Sequence, residues 1–143
     1  MVFYLETSAA VKLIVHEAET EAMLAFALDQ DGNLFSSDLT RTDLLRVVRR
    51  HAADRGVEAR RLLDRTHVVD LPSSVFERAA MLDPAILRTL DALHLAAALE
   101  LGADLEGIVT YDDRLASSAR VHGIAVVSPG VADTVDPPEE RSP

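Results

Sequence analysis

Four acidic residues stand where a small α/β chain would place charge least willingly, and they constrain its fold and its chemistry together. Glu6 follows the apolar run VFYL, and Asp112 follows a second apolar run in IVTYDD. Asp43 lies in the helical stretch TRTDLLRVV, and Asp91 interrupts the nearly all-apolar LDALHLAAAL. Carboxylates gathered in low dielectric lose hydration and repel one another. A divalent cation is the usual remedy, so the arrangement points to a metal site rather than to a surface.

The rest of the chain alternates short apolar runs with amphipathic stretches. Strands are expected at Val2–Leu5, Leu34–Ser36, His67–Leu71, Ile108–Thr110 and Ala125–Ser128. Between them, Thr7 or Ser8 can cap a first helix, and a second near Thr20–Leu28 turns Met23, Leu24 and Leu28 toward the core. Leu39–Arg55 reads as one long amphipathic helix stopped by Gly56, followed by Val57–Arg65. Ser73 caps a helix to about Met81, and Asp83-Pro84 breaks it. Thr89–Leu101 is the most apolar helix, closed by Gly102, and Asp112–His122 is closed by Gly123. This alternation implies an α/β fold, a parallel sheet of four to five strands flanked by helices on both sides. Ligands of such sheets bind beyond the carboxyl ends of the strands, where Glu6 and Asp112 stand. One domain is expected over 1–130, with 131–143 a flexible tail of prolines and acids.

With 143 residues and 48% apolar content, the chain can bury one core. The absence of cysteine excludes a disulfide framework and a thiolate metal site. No stretch reaches the length of a membrane span, and the start MVFYLETSAAVKL lacks the pattern of a signal peptide, so a cytoplasmic protein is expected. The net charge of −10 disfavours nonspecific attraction to nucleic acid, yet Arg41, Arg46, Arg49, Arg50, Arg55, Arg60, Arg61 and Arg65 crowd one segment. That ridge is either a solvated face laced with ion pairs or a track for a phosphate backbone.

Each acid has a plainer reading. Glu6 can be a helix cap, although Thr7 and Ser8 serve as well. Asp91 can be a first-turn acid stabilised by the helix dipole, and His94, which shares its helix face, is either a ligand or a hydrogen-bonded core histidine. Asp43 can pair with Arg46 or Arg50. Of Asp112 and Asp113, capping needs only one. Hard oxygen donors favour Mg²⁺ or Mn²⁺ over zinc, and such an ion at a phosphodiester performs nuclease chemistry without a covalent intermediate. No GxxxxGK[ST] loop or GxGxxG fingerprint is present. A phospho-acceptor receiver domain also gathers acids at strand ends, but it wants a lysine after a late strand, and the sole lysine, Lys12, lies in the first helix.

YLETSAAVKL, TRTDLLRVVRR, LRTLDALHLAAALELG and IVTYDDRLASSARVHGIAVVSPG resemble the PIN-domain toxins of the VapC type over about residues 2–130. The resemblance implies a Mg²⁺- or Mn²⁺-dependent endoribonuclease cutting structured RNA such as tRNA or rRNA, restrained by a VapB-type antitoxin and usually homodimeric. Its acidic quartet falls on Glu6, Asp43, Asp91 and Asp112, with Ser8 close to the metal and Asp113 just outside the quartet. RNA contacts are expected from Arg41, Arg46, Arg49 and Arg50. Two positions depart from the family pattern: Glu6 stands where Asp is usual, and Asp43 where Glu is usual. The alternative is a PIN-fold module that binds RNA or antitoxin without cleaving.

Overall fold

The structure, a computed structural model, describes residues 1–132. Five strands form one all-parallel sheet: β1 (Val2–Leu5), β2 (Leu34–Ser37), β3 (His67–Val69), β4 (Leu105–Val109) and β5 (Val126–Val127), in the order β3-β2-β1-β4-β5. The central strand is β1, and its neighbours β2 and β4 lie on opposite sides. Seven α-helices connect and cover the strands: α1 (Thr7–Lys12), α2 (Thr20–Asp29), α3 (Asp38–His51), α4 (Gly56–Arg65), α5 (Ser73–Ala80), α6 (Thr89–Leu99) and α7 (Asp113–Val121). The expected flexible tail falls, from residue 133 onward, outside the described residues.

Strand alternation divides the core. Phe3 and Leu5 of β1, with Val109 of β4, face a layer built from α1 to α4, including Met23, Leu44, Val48 and Leu63. Tyr4 and Ile108 face the other way, against Leu95 and Ala98 of α6 and Leu115 and Ala119 of α7. Helix α6 owes its central place to its alanines: Ala92, Ala96, Ala97 and Ala98 are all buried and let the helix lie close to its neighbours. Gly107 serves the same end in β4, because a Cβ there would come within 2.9 Å of the carbonyl oxygen of Ala125.

Several local expectations are corrected. The stretch expected as one helix over Leu39–Arg55 ends at His51, since Ala52 leaves helical space at φ −152° and ψ 58°. Gly56 stops nothing; at φ −61° it begins α4. Leu24 and Leu28 of α2 point outward, and only Met23 of the three is buried. Ser73 is the first residue of α5 rather than its side-chain cap. Gly123, at φ +73°, does follow the end of α7 as expected.

Candidate active site

The sheet order places a topological switch at β1, from which one connection runs toward β2 and the other neighbour is β4. Beyond the carboxyl ends of two adjacent parallel strands, polar side chains can converge without sheet partners to compete. Glu6 follows β1 directly, and its N–H donates to the carbonyl of Val109 at the end of β4 (3.1 Å). That bond sets Glu6 beside Thr110, Tyr111 and Asp112.

Glu6 is buried and caps α1, against the expectation that Thr7 or Ser8 would do so. Its Oε2 accepts from the Ser8 N–H (3.0 Å), the Ser8 hydroxyl and the Thr110 hydroxyl (2.8 Å). The Thr110 oxygen also accepts from the Asp112 N–H (3.1 Å), so one buried threonine joins two of the four acids. The Ser8 oxygen accepts from the Tyr111 N–H (2.8 Å). Asp112 caps α7, its Oδ1 accepting from the N–H groups of Arg114 (3.0 Å) and Leu115 (3.1 Å). Of the two adjacent acids, the capping residue is therefore Asp112, while Asp113 is exposed.

Asp91 enters from the first turn of α6 and is 9% exposed. Its Oδ2 is fully buried and, among the described residues, has no hydrogen-bond partner; Arg114 Nε lies 3.5 Å away. Burial pushes the carboxyl of Asp91 above its ordinary range, and the negative charge of Asp112 adds to the push, while Arg114 opposes it. Asp43 comes from α3 and is half-buried. Its Oδ2 accepts from the Thr7 hydroxyl (3.3 Å) and faces His94 Nε2 at 3.8 Å. The imidazole beside it holds the carboxyl below its ordinary range, more strongly than burial raises it. Among the described residues, Asp43 forms no ion pair with Arg46 or Arg50.

Glu6 and Asp43 line one cavity with Thr7, Ser8, Lys12 and Tyr111, Thr110 ties Glu6 to Asp112, and the charge of Asp112 bears on Asp91, which faces Arg114. Among the described residues, no three His, Asp or Glu side chains converge closely enough to share an ion. The chemistry of the donors nevertheless suits a hard divalent cation: four carboxylates, no thiolate, and a buried carboxylate oxygen that has no hydrogen-bond donor among the described residues and only the Arg114 guanidinium, at 3.5 Å, facing it. An isolated buried carboxylate is costly, and a cation is what removes the cost. Lys12 is engaged elsewhere, paired with Glu17 and with Glu19 (2.8 Å) and lying over the Tyr111 ring.

Arg41, Arg46, Arg49 and Arg60 line one cleft between α3 and α4, and Arg50 is exposed outside it. Arg41 also pairs with Asp38 (2.9 Å). Sequence reasoning passed over Thr110, Arg114 and Tyr4, and took Thr7 only as a helix cap. Thr110 carried a usable signal, since it follows β4 as Glu6 follows β1. Tyr4 carried none, because only the folded chain brings its hydroxyl to His94.

The PIN domain family model matches residues 3–128 of this chain. Ribonuclease VapC47 of Mycobacterium tuberculosis is 40% identical over 131 residues, covering 89% of this chain and 96% of that protein. Ribonuclease VapC46 of the same organism is 37% identical over 126 residues, covering 88% and 96% respectively. Among solved structures, M. tuberculosis VapC20, a sarcin–ricin loop cleaving toxin, superposes with a TM-score of 0.71 at 16% identity, over 89% of this chain and 99% of that one. VapBC2 of Rickettsia felis, bound to a DNA fragment of its promoter, gives 0.64 at 16% identity, over 89% and 98%.

Proposed function

The chain belongs to the PIN-domain family, in its VapC branch, and from that premise we propose that it is a Mg²⁺- or Mn²⁺-dependent endoribonuclease, the toxin of a toxin–antitoxin pair. The observation that carries the reading is the buried, unpartnered Oδ2 of Asp91, set beside Asp112 past the ends of the central strands. Glu6 and Asp91 would hold the principal metal, with Asp112 and Asp43 completing the site directly or through water. Bound there, Mg²⁺ or Mn²⁺ supplies Lewis acidity toward water and toward phosphate oxygen. Ser8 and Thr110 restrain Glu6, and Thr110 sets the start of the Asp112 turn. Asp43, kept anionic by its surroundings, can accept a hydrogen bond from the attacking water and orient it. The water oxygen would bond to phosphorus as the bond to the leaving oxygen breaks, the proton given up by the water passing to one of the carboxylates and from it to the leaving oxygen.

Arg41, Arg46, Arg49 and Arg50, on the same helix as Asp43, would track the phosphate backbone of a structured RNA such as tRNA or rRNA. A VapB-type antitoxin would lay an apolar helix into the cleft lined by Leu13, Ile14, Leu24, Leu28 and Leu62. Helix α1 joins that cleft to the acid cavity, where an arginine or lysine of the antitoxin would meet Glu6 and Asp43. Exposed Phe76, Met81, Ile86 and Leu90 offer apolar surface for a homodimer. No helix among the described residues is long and apolar enough to cross a membrane.

A second reading is a PIN module that binds without cutting. It is favoured by the three donors already on Glu6 Oε2 and by the lack, among the described residues, of any three acids or histidines close enough to share an ion. Incubation of the purified protein with structured RNA, Mn²⁺ and a chelator control separates the two. Cleavage that the chelator and Asp91→Asn both abolish supports the nuclease. Binding of RNA with no cleavage at any Mn²⁺ concentration supports the module.

A further inference from the structure

His94 is 2% exposed, and its two ring nitrogens face unlike surroundings. Nδ1 lies 2.9 Å from the hydroxyl of Tyr4, which in turn lies 2.7 Å from the hydroxyl of Ser37. All three side chains are buried. Among the described residues Nε2 has no hydrogen-bond partner, and it faces Asp43 Oδ2 across 3.8 Å. A continuous line of polar groups therefore runs from the end of β2, through β1 and α6, to the acid on α3.

Proton bookkeeping decides how this line is wired. In one arrangement Ser37 donates to Tyr4, Tyr4 donates to Nδ1, and Nε2 carries the ring proton toward the Asp43 carboxylate. In the other, Nδ1–H donates to Tyr4, Tyr4 donates to Ser37, and a bare nitrogen lone pair faces an anion. The two cost the same number of hydrogen bonds. Only the first turns the last contact from repulsion into attraction, so electrostatics select the Nε2–H tautomer. Burial keeps the proton on Tyr4 by raising its pKa, so the hydroxyl can donate throughout the working range of pH.

Asp43 needs such a partner. Its side chain is 35% exposed, and among the described residues its one hydrogen bond, from Thr7, is long at 3.3 Å. We propose that His94, fixed by Tyr4 as its Nε2–H tautomer, is a positioning residue that aims the Asp43 carboxylate into the cavity shared with Glu6. Its consequence for metal binding rests on the reading of Asp43 as one of the metal-holding acids. Groups that orient a ligand in this way commonly change metal affinity by about 10–100-fold when removed.

Two measurements test the assignment. In the metal-free protein, long-range ¹H–¹⁵N correlation spectra should show His94 protonated at Nε2 and bare at Nδ1, with Tyr4→Phe relaxing that preference. In Mn²⁺ titrations followed by calorimetry, His94→Leu should weaken binding by about tenfold or more when Asp43 is present. The same change should add nothing in an Asp43→Asn background, because the histidine acts through that carboxylate. His94→Gln, which keeps an N–H near the ε position and folds if the leucine variant does not, should retain most of the affinity. A protonated Nδ1 in the wild type, or an equal loss in both backgrounds, overturns the proposal. A wild type that takes up no Mn²⁺ overturns the metal reading instead. The spectra, recorded without metal, still decide for or against the orientation of His94.

Discussion

The hydroxyl of Thr110 donates to Glu6 Oε2 across 2.8 Å, from the end of one central strand to the end of its neighbour. The same oxygen accepts the N–H of Asp112. Thr110→Val keeps the shape and removes both interactions, leaving a buried carboxylate short of a donor. It should cost about 1–3 kcal/mol in thermal or denaturant unfolding. Mn²⁺-dependent cleavage should fall with it, while Thr110→Ser, which keeps the hydroxyl, should preserve both. A valine variant with wild-type stability and activity would remove Thr110 from the account.

Asp91 makes a prediction about pH. Its carboxyl pKa is raised in the folded chain, first by burial and then by Asp112. The folded state then binds the proton more tightly than the unfolded one, so the metal-free protein loses stability as pH rises above the ordinary aspartate value of about 3.9. The loss is complete once pH exceeds the raised folded value. Asp91→Asn should therefore melt higher than wild type at pH 7 without metal. The difference should shrink as pH falls through the raised value and vanish below about 4. Adding Mn²⁺ should stabilise the wild type and not the variant, reversing the order.

The sheet and its two helical layers were legible because hydrophobic period and turn residues act locally: VFYL, LFS and the alanine-rich α6 all form where their patterns place them. Boundaries were less legible. Nothing in RRHAADRG marks Ala52 as the break, and a mid-chain glycine reads as a stop although Gly56 is helical. Leu24 and Leu28 fit an inward stripe and point outward, onto the apolar cleft. At the site, position after a strand or within an apolar helix drew attention to Glu6, Asp112 and Asp91, whereas Asp43, on an amphipathic helix, joined them through the resemblance to the family. Their hydrogen-bond partners were hidden, because Tyr4 meets Ser37 and His94 across separations of 33 and 90 residues. Glu6 as a cap was likewise outweighed by the nearer hydroxyls of Thr7 and Ser8.

Glu6 and Asp43 line the same cavity, and the resemblance read from the sequence implies Asp in the place of Glu6 and Glu in the place of Asp43, one methylene apart in opposite directions. Glu6→Asp withdraws the carboxylate from Ser8 and Thr110, and Asp43→Glu lengthens its partner. Each alone should lower the cleavage rate by about tenfold or more, through misplacement of a charged group. The double variant should recover most of the loss, since the reach across the cavity is restored. Single-turnover cleavage rates for the four proteins close this cycle, and strictly additive losses would contradict the compensation.

The arginine cleft predicts a salt dependence. If Arg46 and Arg49 each neutralise a phosphate, replacing either with Gln should weaken RNA binding. It should also flatten the slope of log affinity against log salt by about 0.7 per contact for single-stranded segments and 0.9 for duplex. Cleavage at saturating RNA should be unchanged. An unaltered slope would mark these arginines as a solvated helix face.

The proposal to test is that Glu6 and Asp91 hold one divalent ion, with Asp112 and Asp43 completing the site, although without metal no three of these side chains converge among the described residues. Anomalous scattering from a crystal soaked in Mn²⁺ tests it most directly. The account predicts a peak within about 2–2.5 Å of oxygens of Asp91 and Glu6, with Asp112 and Asp43 bound directly or through water. A peak at another place, or none in a protein that still cleaves RNA, would contradict it.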